Sequence, residues 1–188
     1  MKLTFTSVAL EKAPKGFVRV RLTEDQKGTR RLVREADGEY IEIGTGKRSE
    51  VTLRTFVPLV RSIVQTAKKE RARKIALQLS TSPFPKLNAL ELSELGSVIA
   101  QNLEMANYEF TTYKTRPKDG FREVSEVLVC GETPKAMQAG FKKGQIIGEE
   151  VNACRTLANT PGGDMTPKSL ARAAKLAVVG LPVLVRTL

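Results

Sequence analysis

The chain has 188 residues, of which 41% are hydrophobic, so it can bury the core of one domain or of two small ones. It contains no histidine, which excludes Ser-His-Asp and Cys-His catalysis and imidazole metal sites within this chain. Its 31 Lys and Arg residues exceed its 20 Asp and Glu residues, and the net charge of +11 suits a polyanionic partner.

The sequence carries no targeting or membrane signal. No apolar run approaches the roughly 20 residues that a membrane-spanning helix requires, and the N-terminus is too polar at its centre for a secretory signal. Cys130 and Cys154 suit a reducing compartment, and we expect both to be ordinary buried residues without a disulfide or catalytic role. These features predict a globular, soluble, cytoplasmic protein with no membrane partner.

The first half of the chain alternates between strand and helix patterns. Residues 2–8, 17–22 and 39–44 are β-like runs, and the last two alternate apolar and polar positions. Apolar residues then recur every three or four positions from residue 51 to about residue 71, which predicts a helix that starts or kinks at Pro58. A strand is predicted over residues 74–80.

The second half continues the alternation. A helical stripe from Leu90 to Ala106 is followed by a strand at residues 123–131 and a long helix at about residues 134–159. Strands that alternate with helices predict an α/β fold, in which a mixed, partly parallel sheet is flanked by helices and followed by the long helix. After Gly180 the sequence predicts the start of another strand, and we expect the chain to be truncated there.

The segment NTPGGDMTP, residues 159–167, could be a phosphate loop or a hinge. A Walker loop needs glycine before the lysine, but Pro167 precedes Lys168 and has no backbone N–H to offer a phosphate. The hinge interpretation accounts for more residues, because Pro161 ends the long helix, Thr166 is a natural N-cap and Pro167 suits the first helical position. The segment therefore predicts a turn into a new helix.

Basic residues concentrate in two segments and leave two interpretations open. They are either candidate polyanion contacts or the solvated faces of amphipathic segments. Gly44, Gly46 and Lys47 pose a similar choice, between an anion site and a strand-to-helix turn, and the turn is favoured. The candidate polyanion contacts are Arg30, Arg31, Arg34, Lys68, Lys69, Arg71, Arg73 and Lys74.

Three segments resemble the leucine aminopeptidase (cytosol aminopeptidase) family, in that family's order. GTGKRSEVTLRTF (residues 44–56) resembles a Gly-x-Gly-Lys segment before a helix, ANYEFTTYKT (106–115) resembles an Ala-Asn-Tyr motif, and RTLANTPGGDMTPKSLARAAK (155–175) resembles the interdomain linker. The first 40 residues match poorly, and Gly163 replaces the second asparagine of the linker. The matching residues, expected to be structural, are Asn107, Tyr108, Phe110, Tyr113, Lys114, Arg155, Asn159, Pro161, Thr166 and Pro167.

The resemblance implies a macro-like α/β domain at residues 1–132, a connecting helix and hinge at 133–160, and the start of a truncated catalytic domain at 161–188. In the family, two divalent metal ions, Zn or Mn, activate water in the catalytic domain. The family's segment Asn-Thr-Asp-Ala-Glu-Gly-Arg-Leu is absent here, and Asp164 is the only carboxylate among residues 151–188. No catalytic, cofactor-binding or metal-binding residue is therefore assigned to this chain.

The resemblance also implies a function. We expect the non-catalytic N-terminal domain of a metal-dependent leucyl aminopeptidase that releases N-terminal amino acids from peptides, serving assembly, active-site access or partner binding. Its partners would be its own catalytic domain and the other subunits of a hexamer, and the chain alone is expected to be inactive. The alternative is a nucleic-acid-binding module that uses the basic surface to bind DNA. ADP-ribose binding ranks below both, because it rests on fold analogy alone.

Overall fold

The computed structural model describes residues 1–78 and 84–187, which form two compact units, Met1–Glu149 and Glu150–Leu188. The strands are β1 (Lys2–Thr6), β2 (Val18–Thr23), β3 (Arg30–Glu35), β4 (Gly38–Gly44), β5 (Lys74–Leu77) and β6 (Glu126–Cys130). The helices are α1 (Leu53–Lys69), α2 (Leu92–Asn107), α3 (Lys135–Asn159) and α4 (Pro167–Ala177). The boundary between the two units falls within α3.

The six strands form one sheet in the order β1-β6-β5-β2-β4-β3. Neighbouring strands are parallel except β3 and β4, which are antiparallel. At the centre, Val20 of β2 lies opposite Ile41 of β4 on one side and Leu77 of β5 on the other. The predicted fold class, a mixed and partly parallel sheet flanked by helices and followed by a long helix, is confirmed.

Helix α1 covers one face of this sheet with the apolar stripe that the sequence predicts. Its buried residues include Phe56, Val60 and Ile63, which join the main core together with alternate residues of the strands. The helix begins at Leu53 rather than at Pro58, because Thr52 and Thr55 form a capping box. Pro58 lies on the exposed side of α1, close to the N-terminus of the helix. Because proline has no N–H, one backbone carbonyl in the preceding turn lacks its usual donor, and on the exposed side this carbonyl can bond to water.

The opposite face of the sheet around β2, β4 and β3 is closed by charged side chains. Glu42 of β4 is buried and accepts hydrogen bonds from Arg31 Nε at 2.8 Å and Arg21 Nη1 at 3.3 Å. The Arg21 guanidinium lies 4.0 Å from the centroid of the Tyr40 ring, which is also buried. Long arginine side chains therefore cover polar groups that would otherwise face water.

The strand β3 was not predicted, because the run RRLVRE was interpreted only as a basic cluster. In the structure, Leu32 of this run packs against the main core, while Arg31 faces the other side of the sheet and pairs with Glu42. An edge strand with charged residues on one face lacks the apolar alternation by which a half-buried strand is recognised.

Glycines allow α3 to approach α2 at backbone distance. A Cβ atom at Gly140 or Gly144 would overlap the backbone carbonyl oxygen of Ser93 or Ser97, and one at Gly148 would lie 2.7 Å from Glu104 Cβ. Because these glycines are four residues apart, they share one face of α3. This face fixes the first part of α3 against unit 1.

Three details differ from the sequence predictions. Cys130 is buried as expected, but Cys154, which lies in the second half of α3, is exposed. Residues 181–187 form no strand, since a lone segment has no neighbouring strand with which to pair. Strand β5 ends at Leu77, and the predicted residues 79 and 80 lie outside the described residues.

None of the described helices has the length and hydropathy needed to cross a membrane.

The substitution Gly144→Ala should destabilise the protein by about 1 to 3 kcal/mol, because its Cβ would force two helix backbones apart. Urea unfolding measures this loss. The matched control is Gly163→Ala, where a Cβ meets no atom within 4 Å, and its effect should stay within about 0.5 kcal/mol. Equal stability of Gly144→Ala and the wild type would contradict the close helix contact.

Glu104 makes the stability depend on pH. Burial raises its pKa above the ordinary value of 4.5, and the Met1 ammonium, 3.4 Å away, opposes this shift without cancelling it. Above about pH 4.5 the folded state therefore binds more protons than the unfolded chain, so Glu104 lowers stability as pH rises through its folded pKa. We expect Glu104→Gln to gain stability relative to the wild type as pH rises from about 4.5 to 7 in urea unfolding series. A difference that stays constant with pH would contradict the raised pKa.

Candidate functional site

Asn107 joins the end of α2 to the segment before β6. Its Nδ2 donates to the Val124 carbonyl at 2.8 Å, and its Oδ1 accepts from the Val124 N–H at 2.9 Å. The side-chain amide thus satisfies both backbone groups of one residue, as a neighbouring strand would do. This pair of bonds closes the base of the loop formed by residues 108–125.

The other residues of the Ala-Asn-Tyr motif lie at the start of this loop. The rings of Phe110 and Tyr113 have centroids 5.8 Å apart, and Lys114 Nζ lies 3.0 Å from Glu109 Oε1. The hydrogen bond from Lys114, more than the added charge of Lys68, lowers the pKa of Glu109. Tyr108 follows directly after α2. These residues are neighbours along the chain, and their structural roles stay predictions.

The linker residues lie in unit 2, at the end of α3 and the start of α4. Thr166 caps α4 and accepts a hydrogen bond from the Ser169 N–H at 3.2 Å, with Pro167 in the first turn. Pro161 accepts backbone bonds from residues 164 and 165, which form the turn. Arg155 contacts the Asn152 side chain at 3.2 Å, and Asn159 is the last residue of α3.

The eight candidate polyanion contacts occupy two separate places. Three lie on the edge strand β3, and the others surround the C-terminus of α1 and the start of β5. Arg30 donates to the Gln65 side chain at 3.4 Å, and Lys69 is near the end of α1. Six of the eight form ion pairs within the protein: Arg31, Arg34, Lys68, Arg71, Arg73 and Lys74.

The glycine loop after β4 is a strand-to-helix turn. The backbone N–H groups of Gly44, Thr45 and Gly46 donate to the carbonyls of Thr29, Thr23 and Asp25, each at 2.9 Å. These amides are therefore not available to a phosphate group. A cavity of about 240 Å³ lies beside the loop, with Lys27, Arg30 and Lys47 as its cations.

A larger cavity, of about 640 Å³, lies at the other end of the molecule's first unit, beside the C-terminus of α1. We call it the basic cleft. Its charged lining consists of six cations and two acids: Lys68, Arg71, Arg73, Arg116, Lys118 and Arg122 with Asp119 and Glu123. Pro117, Gly120 and Phe121 complete the lining.

Two turns shape the basic cleft. On one wall, Arg71 adopts a left-handed backbone with φ 59°, which ends α1 and turns the chain toward β5. On the other wall, Gly120 has φ 74°, and its N–H donates to the Pro117 carbonyl at 2.9 Å. Ion pairs join the walls, from Arg71 to Asp119 at 2.8 Å and from Arg73 to Glu123 at 3.3 Å.

Arg116, Lys118 and Arg122 were not among the predicted polyanion contacts, because Pro117 and the run Asp119–Phe121 separate them and no two of them are adjacent. A usable signal was present in the length of the segment between the predicted helix and strand. Structureless connections longer than about 12 to 15 residues are uncommon and are often functional.

The donor atoms of the described residues limit metal binding. Among residues 1–78 and 84–187, no group of three or more His, Cys, Asp or Glu side chains is arranged to hold a metal ion. Unit 2 contributes Glu150 and Asp164 as its side-chain carboxylates, whereas a pair of divalent ions needs several oxygen ligands for each ion. The described residues therefore do not fit a dinuclear metal site.

The chain resembles known aminopeptidases in sequence. Residues 30–117 match the family model described as "Cytosol aminopeptidase family, N-terminal domain". A probable cytosol aminopeptidase from Alkaliphilus metalliredigens (strain QYMF) is 28% identical over 139 residues, which cover 72% of this chain and 27% of that relative. The chain thus spans about a quarter of the length of this curated relative.

Solved structures share the fold. A tomato leucine aminopeptidase mutant matches with a TM-score of 0.76 and 17% identity, over 96% of this chain and 42% of that chain. The bottromycin maturation enzyme BotP in complex with Mn matches with a TM-score of 0.65 and 18% identity, over 87% of this chain and 36% of that chain. These structures show the fold that the chain shares, and the sequence match shows that residues 30–117 carry the N-terminal domain of the cytosol aminopeptidase family.

Proposed function

We propose that the chain is the non-catalytic N-terminal part of a dinuclear metallopeptidase that releases N-terminal amino acids from peptides. The match of residues 30–117 to the family's N-terminal domain is the observation that carries this proposal. In the full-length protein the chain would serve assembly, access to the active site or partner binding. Its partners would be its own catalytic domain and, in a hexamer, other subunits.

The donor atoms of the chain support a non-catalytic role. Two divalent ions, Zn or Mn, would be held by a catalytic domain, because the described residues offer no suitable cluster of ligands. BotP, which shares the fold, was solved in complex with Mn. We accordingly propose residues 1–132 as the α/β domain, 133–160 as the connecting helix and hinge, and 161–188 as the start of the catalytic domain.

Unit 2 exposes several large apolar side chains. Helix α4 has no buried residue, and Leu176 and Val179 are 62% and 75% exposed. Leu181, Val183 and Leu184 are also exposed. Exposed apolar side chains that group into a patch usually mark a contact with another protein surface. The surface proposed to cover these side chains is the remainder of the catalytic domain.

The nucleic-acid alternative stays a prediction with less support. Most of the basic residues that suggested it are neutralised by carboxylates of the same chain, such as Arg31 by Glu42 and Arg34 by Glu39. Paired cations release fewer counterions when they meet a phosphate backbone, so they add little to affinity for DNA.

The cytoplasmic location of the protein also stays a prediction.

An antibody against these 188 residues should detect a polypeptide much larger than 20.7 kDa in source cells, because the aligned residues cover 27% of the curated relative. The immunoprecipitated polypeptide should hydrolyse leucine p-nitroanilide with Mn²⁺ or Zn²⁺ and lose this activity with a chelator. The isolated chain with the same ions is the control and should be inactive. Hydrolysis by the isolated chain, or a native band at 20.7 kDa, would sink the proposal.

The double substitution Leu176→Ser and Val179→Ser tests whether the remainder of the catalytic domain covers the exposed apolar side chains of unit 2. In the isolated chain it should change the free energy of unfolding by less than about 0.5 kcal/mol, because both side chains are exposed. In the full-length polypeptide it should lower the midpoint of thermal inactivation, by about 2 to 4 °C for each kcal/mol lost. Val8→Ser, at a 40% exposed site in unit 1, is the control. Equal midpoints for the double variant and the control would contradict the cover.

A further inference from the structure

The basic cleft contains cations that the protein does not neutralise. Its two acids are already paired, Asp119 with Arg71 and Glu123 with Arg73. The remaining Arg116, Lys118 and Arg122 form no ion pair with any residue in the ranges 1–78 and 84–187. All three are exposed residues that line the same cavity, so their positive potential adds there and favours an anionic ligand.

The loop that supplies these three cations is long but held in place. Residues 108–125 contain no helix or strand, and a connection of this length usually has a function or is disordered. Here the side-chain amide of Asn107 fastens the far end of the loop to α2 through both backbone groups of Val124. The turn at Gly120 fixes its middle. The backbone that presents the cations is therefore preorganised, which lowers the entropic cost of binding.

The shape of the basic cleft distinguishes between kinds of anion. An extended duplex is bound by a row of cations that follows successive phosphates, whereas these cations surround a single concave space of about 640 Å³. Guanidinium groups bind phosphate oxygens in pairs, and the lysine ammonium adds a point charge. A single carboxylate has too little charge for three unpaired cations.

From this arrangement we propose that the basic cleft binds a compact ligand that carries two or more linked phosphate groups. Arg116, Lys118 and Arg122 contact the phosphates, while the ion pairs of Arg71 and Arg73 keep the two walls together. Phe121 supplies an apolar side to the cavity. This site does not depend on the aminopeptidase proposal, since it uses residues of unit 1 alone.

Isothermal titration of the 188-residue chain with inorganic tripolyphosphate tests the site. We expect one ligand per chain, affinity at least about tenfold above that for orthophosphate, and weaker binding as salt rises from about 50 to 200 mM. The triple variant Arg116→Gln, Lys118→Gln and Arg122→Gln should lose about tenfold or more in affinity. Amide NMR signals of Gly120 and Phe121 should shift on titration of the wild type.

The matched control is the triple variant Lys12→Gln, Arg54→Gln and Lys142→Gln. These residues are exposed and lie outside the basic cleft, and their substitution removes the same charge as the first triple variant does. Urea unfolding of both variants checks that each remains folded. The control should bind tripolyphosphate as the wild type does, apart from the small effect of net charge. Equal losses in the two variants, or no binding at low salt, would overturn the proposal. So would binding of a 20-base-pair DNA duplex that outcompetes tripolyphosphate in the cleft.

Discussion

The buried carboxylate of Glu42 is the constraint on which the second face of the sheet depends. It lies on β4, between β2 and β3, and a charge removed from water at this depth must be compensated by partners in the protein. Arg21 and Arg31 provide that compensation from the two neighbouring strands. The three strands therefore share one electrostatic network, and the basic character of β3 has a structural explanation.

The cations that give the chain its net charge of +11 are of at least two kinds. Cations of the first kind, such as Arg31 and Arg34, face carboxylates on adjacent strands and serve the fold. Cations of the second kind, such as Arg116 and Lys118, stand in the basic cleft without an ion-pair partner among the described residues. Net charge alone does not distinguish these two kinds, although only the second is ready to meet an anionic ligand.

The opposite face of the sheet depends on close packing instead of charge. Gly140 and Gly144 bring the backbone of α3 against that of α2, and Phe141 between them is fully buried in the main core. Phe5 of β1 meets the Phe141 ring edge-on at a centroid distance of 5.3 Å. This packing holds the first part of α3 to the rest of unit 1. In unit 2, by contrast, apolar side chains of α4 are exposed in this chain. Their exposure fits the proposal that a further part of a longer protein covers them.

The sequence by itself determined the features that depend on neighbouring residues. Apolar spacing predicted α1, α2 and α3 within a few residues, and the order Thr-Pro at positions 166 and 167 predicted the start of α4. Three short motifs indicated the family, which the matched N-terminal domain confirms. These signals are local, because helix periodicity and capping involve residues within one or two turns.

Tertiary structure alone decided which distant residues meet. Strand order, the edge strand β3, the bonds between Asn107 and Val124 and the partners of Glu42 all join segments that are separated along the chain. The basic cleft is of this kind, since α1, the segment between α1 and β5 and the loop after α2 each contribute cations. No periodic pattern encodes such contacts, because they form only when folding brings distant segments next to one another in the sheet and its loops.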